Sequence, residues 1–111
     1  MSGGYFEYQQ YHINEIAESI RRIIDKNGKK ISRKKLKEWH FLNDEEIDEL
    51  SSDDYRLYEY NYPDEVIKEM KKGYTILKKA SVYAQRIDWL VSGDDGEESF
   101  IAKLKEDLNK L

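Results

Sequence analysis

Glu45, Glu46 and Glu49 form an E-E-x-x-E array, a spacing that puts carboxylates on adjacent turns of a helix. A magnesium-dependent nucleotide hydrolase of the all-α kind needs such an array and a second acidic pair on the next helix. The next stretch offers only Asp64 and Glu65, which already suit a helix start, and no Gly-rich phosphate cradle is present. Asp94, Asp95, Glu97 and Glu98 crowd one turn between Ser92 and Ser99, without the spaced pattern of an EF-hand loop. His12 and His40 stand in different segments with no metal-ligand spacing. There is no cysteine, which excludes disulfides, thiolate zinc sites and thiol nucleophiles. These residues predict no enzyme, no bound metal and no cofactor.

Charge is more informative than catalysis. Lys26, Lys29, Lys30, Arg33, Lys34, Lys35 and Lys37 make a basic run that leads into Trp39, His40 and Phe41. Cations beside aromatics are what single-stranded nucleic acid stacks on and pairs with. Residues 43–65 answer with ten acids and one arginine, enough to neutralise the run within the fold or to repel a phosphate backbone. Tyrosine is abundant, nine in all, with Tyr55, Tyr58, Tyr60 and Tyr62 in one stretch and Tyr5, Tyr8 and Tyr11 in another. Such residues either fill gaps in a thin core or mark an interface.

The elements that position these groups are helices. Ile13, Ile16, Ala17, Ile20, Ile23 and Ile24 follow helical spacing, and Asn27-Gly28 ends the run, so a helix is expected over about 11–26. Ser32 and Asn43 read as caps of short helices over about 33–41 and 44–51, the second completed as a capping box by Glu46. Pro63 opens a long helix to about residue 92. Along it Val66, Met70, Gly73, Leu77, Ala80, Ala84, Ile87 and Val91 step by four and three, an a/d heptad seam. Asp95 is expected to cap a last helix over about 96–110, with Glu98 reaching back. The expected fold is one all-α domain, 1–111, a small helical bundle built on the long helix. Leu77, Ala80, Ala84 and Ile87 are expected in its core, and any uncovered seam would pair with a second copy or another protein, leaving monomer and homodimer both open.

Charged residues make up 38% of the chain against roughly a quarter in an average domain, so the core must be thin. The formal charge is −4, and no apolar run approaches a membrane span. A soluble, cytoplasmic protein without membrane contact is the expectation.

Two blocks, G-Y-F-E-Y (4–8) running on to Ile16, and Y-A-Q-R-I-D-W-L-V-S-G-D-D-G-E-E-S-F (83–100), resemble a family of small, largely uncharacterised helical proteins of bacteriophages and mobile elements. The resemblance covers residues 4–25 and 63–104, and 29–62 stands apart as an insertion or connector. It implies phage biology in a bacterial cytoplasm and supplies no catalytic residue. The leading expectation is a non-catalytic interaction protein, most concretely an inhibitor of a bacterial nucleic-acid-handling or defence enzyme. Its contact residues would be Asp44, Glu45, Glu46, Asp48, Glu49, Asp94, Asp95, Glu97, Glu98, Tyr55, Tyr58 and Tyr60. The alternative is a nucleic-acid-binding module using Lys29, Lys30, Arg33, Lys34, Lys35, Lys37 and Trp39, and a metal-dependent nucleotide hydrolase comes third.

Overall fold

The computed structural model describes residues 4–111. Five α-helices follow one another: α1 Gln10–Lys26, α2 Arg33–His40, α3 Asp44–Asp48, α4 Asp64–Val91 and α5 Glu97–Asn109, with a 3-10 turn at Tyr55–Leu57 before α4. Among the described residues there is no strand, and the chain is all-α. No described helix is long and apolar enough to cross a membrane.

Local chemistry accounts for most of the boundaries. Ser32 caps α2 by accepting from the Lys35 N–H at 3.2 Å. Asn43 and Glu46 close a reciprocal capping box on α3, at 2.8 and 3.1 Å. This box satisfies the first amides of a five-residue helix, so Asn43→Ala should cost about 1 kcal/mol, read by chemical denaturation. Pro63 sits one residue before α4 with extended backbone, at the cap rather than inside the first turn.

The start of α5 departs from expectation. Its cap residue is Gly96, with no side-chain cap bond. The Asp95 side chain is turned inward instead, 5% exposed, with Lys103 Nζ 3.7 Å away and Oδ2 buried without a hydrogen-bond partner. The backbone N–H groups of Asp94 and Asp95 both bond the Trp89 carbonyl, at 2.9 and 3.2 Å, which pulls the turn back over the end of α4.

α4 is the hub. α1 runs antiparallel along it, with Gln10 bonded to Gln85 and Asp88, Lys78 bonded to Asn14 and Glu18, and Asn27 bonded to the Tyr62 backbone. α5 folds back on the other end of α4 and is pinned by Arg86 to Asp107 at 2.7 Å. α1 and α5 each pack on α4 without forming a packed interface with each other. Residues 27–31 and 57–62 zip together through Gly28 N–H to Tyr60 O and Ile31 N–H to Leu57 O, at 2.9 and 2.8 Å. That stem carries α2, α3 and the 3-10 turn as a small lobe before α4 begins.

The result is a bundle flattened into a layer, 65 × 27 × 16 Å. Its radius of gyration is 20.7 Å, where a compact domain of this length has about 13 Å. The apolar residues it buries are Ala17, Leu36 and Leu42, and the only buried residue of α4 is Asp88. Leu77, Ala80, Ala84 and Ile87, expected in the core, are only half-buried. The seam has the right spacing, but two flanking helices in one layer cover it only in part, and Ile76 and Tyr83 beside it stay exposed.

Candidate functional site

The basic run and the acidic block meet in the lobe. Arg33 on the first turn of α2 reaches Asp44 at 3.0 Å and Asp48 at 2.6 Å on α3, and Lys37 one turn on reaches Asp44 at 2.9 Å. The Lys37 and Arg33 bonds hold the Asp44 carboxyl below its ordinary range. Lys26 pairs with Glu59 across the stem. Lys35 is folded over the Trp39 ring at 5.2 Å. Of the basic residues considered for nucleic acid, Arg33 and Lys37 are therefore committed to carboxylates, while Lys29, Lys30 and Lys34 remain exposed. The internal compensation removes the bidentate cation of the set.

The lobe presents aromatics outward. α2 ends at Phe41, whose backbone is left-handed (φ 56°, ψ 34°) and whose side chain is 88% exposed. A bulky residue in this conformation is strained, and here the strain holds an apolar ring in water. Tyr55 is 79% exposed and meets the edge of the His40 ring at 6.5 Å. Its position is fixed by its neighbours: Asp54 accepts from the Arg56 backbone N–H and from both sides of the Arg56 guanidinium, at 2.9 to 3.0 Å. The Arg56 bonds hold the Asp54 carboxyl down at about 2. Glu45 stands exposed on α3 and Glu49 just past its end, while Glu46 is spent on its cap.

The predicted contact residues fall into two groups that the fold keeps apart. Asp44, Glu45, Glu46, Asp48, Glu49 and Tyr55 belong to the lobe, and Tyr58 and Tyr60 to its half-buried stem. Asp94, Asp95, Glu97 and Glu98 lie past the far end of α4, a helix of 28 residues, so about 40 Å away at 1.5 Å per residue. No single acidic face unites them. Among the described residues no three His, Asp or Glu side chains converge as a metal site, and His12 pairs only with Glu15.

The most constrained polar group went unnoticed in the sequence. Asp88 is fully buried and accepts from the backbone N–H of Gly4 at 3.0 Å, that of Phe6 at 3.1 Å and Nε2 of Gln10 at 3.2 Å. Burial raises its pKa, but the N–H groups of Phe6, Gly4 and Tyr5 and the Gln10 amide outweigh it and hold the carboxyl below its ordinary 3.8. Two residues of the turn it clasps, Glu7 and Tyr8, have φ of 56° and 62°. Residues 4–10 and the end of α4 thus meet in space at this carboxylate. The available signal was an acid flanking the apolar seam, one turn after Ala84 and next to Ile87. No family model, curated protein or solved structure matches the chain.

Proposed function

We propose that this chain is a small, non-catalytic interaction protein of phage or mobile-element origin whose lobe binds a bacterial protein. The observation that carries the reading is that the lobe exposes three large aromatics, Trp39, Phe41 at its left-handed cap, and Tyr55 next to the Asp54–Arg56 clamp. Large rigid aromatics in water are what dominate binding energy once buried in a partner's pocket. The exposed Glu45 and Glu49 of the same lobe fit a basic rim on that partner. A nucleic-acid-handling or defence enzyme builds such a rim for its own substrate, which makes it the target class, and inhibition by occupation is the mechanism. The resemblance in residues 4–25 and 63–104 supports the phage origin.

The test is capture from bacterial lysate on immobilised wild type and on a Trp39→Ala/Tyr55→Ala variant, in low and high salt. A specific protein should bind the wild type, weaken with salt and be lost from the variant. Equal capture by both would refute the reading. So would salt-sensitive binding of a single-stranded oligonucleotide that a Lys29→Glu/Lys34→Glu variant abolishes, which would reinstate the nucleic-acid module.

A further inference from the structure

Asn27-Gly28 is the one place in this chain where an asparagine precedes a glycine; the other four asparagines precede Glu15, Asp44, Tyr62 and Lys110. Glycine has no Cβ to shield its amide nitrogen and moves freely through backbone conformations. In an open chain that nitrogen can therefore reach the side-chain carbonyl of the asparagine before it, which makes such an amide chemically labile. The fold puts this pair at the base of the lobe. Asn27 is the residue after α1, and its carboxamide is joined twice to the Tyr62 backbone just ahead of α4. Nδ2 donates to the Tyr62 carbonyl at 3.1 Å, and Oδ1 accepts from the Tyr62 N–H at 2.7 Å. Gly28 N–H donates to the Tyr60 carbonyl at 2.9 Å from a left-handed backbone, φ 74°, that suits glycine past a helix end. One side-chain amide thus closes residues 28–61 against the α1–α4 layer.

We propose that Asn27 is a site of spontaneous deamidation gated by opening of the stem, and that its conversion to an acid unlatches the lobe from the layer. In the closed stem both reacting groups are engaged elsewhere, the Gly28 N–H with Tyr60 and the Asn27 carboxamide with Tyr62. When the stem opens, the Gly28 nitrogen gives up its proton and bonds to Asn27 Cγ. The Cγ–Nδ2 bond breaks, and ammonia leaves carrying that proton. Water then opens the resulting succinimide ring, at Cγ to give aspartate or at the backbone carbonyl to give isoaspartate. The net exchange is one water in and one ammonia out. Neither product restores the latch. Aspartate has no donor for the Tyr62 carbonyl and sets a carboxylate oxygen against it, at the end of α1 where free carbonyls already disfavour negative charge. Isoaspartate lengthens the main chain by one carbon and shifts Gly28 away from Tyr60. Charges near the site in the sequence are mixed: Lys26 is paired with Glu59, while Lys29 and Lys30 are exposed, as are Asp25, Asp64 and Glu65.

This chemistry is independent of what the lobe binds. The experiment ages the whole wild-type chain at mildly alkaline pH, folded and in denaturant, and follows residue 27 by peptide mass spectrometry. Deamidation should appear at Asn27 and be at least about tenfold slower in the folded chain, where only the opened fraction reacts. The deamidated fraction, separated by ion exchange, and an Asn27→Asp variant should both keep the helical signal of the wild type. Both should lose hydrogen-exchange protection at the Gly28, Ile31 and Tyr62 amides, which the stem bonds hold. Equal rates in the folded and denatured chain overturn the gating, and no reaction in denaturant overturns the site. Stem amides that stay protected in both acids, or helices that melt together with the stem, overturn the latch.

Discussion

Asp88→Ala lowers stability by about 3 kcal/mol, because a buried carboxylate with three charge-assisted hydrogen bonds is lost together with the segment it holds. For a chain of this length the melting midpoint should fall by about 12 °C. The Gly4 and Phe6 amides bond this side chain, so the loss is first felt as release of residues 4–9. Glu7 and Tyr8, held left-handed in the native turn, have no reason to keep that conformation once the clasp is gone. Hydrogen exchange should show protection lost there before α4 loosens. The pH dependence carries a sign that separates charge from shape. The folded carboxyl lies below its ordinary 3.8, so its contribution is complete above that value and disappears as pH falls through the lowered native one. The gap between wild type and Asp88→Asn should therefore narrow on acidification below about pH 4, with the wild type doing the falling. Wild type and Asp88→Ala melting together at neutral pH would show that the clasp contributes nothing.

Helix positions were legible because each boundary is written by a residue acting locally. Asn43 with Glu46 and Ser32 bond amides within three positions of themselves, so a single chain segment contains the whole argument. The periodicity of α1 and α4 is legible for the same reason. Asp88 was not, because its partners lie more than eighty residues away at Gly4 and Phe6, and spacing along one helix cannot show which strand of backbone will supply N–H groups. The seam misled in a different manner. Heptad spacing says that a face wants covering and is silent on how completely its neighbours cover it, so Leu77 and Ala84 are half-buried rather than enclosed. At Asp95 two uses of one carboxylate competed. Capping requires the side chain to bend back over the first turn of α5. The bonds from the Asp94 and Asp95 amides to the Trp89 carbonyl turn the backbone so that Gly96 becomes the cap residue and the carboxylate goes inside. In the lobe, the opposed charges of residues 26–65 were readable as compensation, but the pairing of Arg33 with both Asp44 and Asp48 depends on how α2 and α3 are set by the turn at Phe41.

Phe41→Gly should separate folding from function with effects of opposite sign. The residue closes α2 in the left-handed region, φ 56° and ψ 34°, which costs a side chain with a Cβ about 1–2 kcal/mol and costs glycine almost nothing. Glycine gives back part of that through the greater freedom of its unfolded chain, leaving a net gain of about 0.5–1 kcal/mol. Little packing is lost in exchange, since the ring is 88% exposed. If the ring were there for the fold, the variant would melt lower. If it is there for a partner, the variant should melt a few degrees higher and bind the captured protein about thirtyfold more weakly, the roughly 2 kcal/mol of an aromatic anchor at an interface. Phe41→Tyr keeps the ring and should keep both properties near wild type, which excludes a general disturbance of the α2–α3 turn as the cause. Calorimetry on the three proteins and titration of the captured partner decide between the two roles, and a Phe41→Gly variant that is both less stable and fully competent to bind would remove the lobe from the interface.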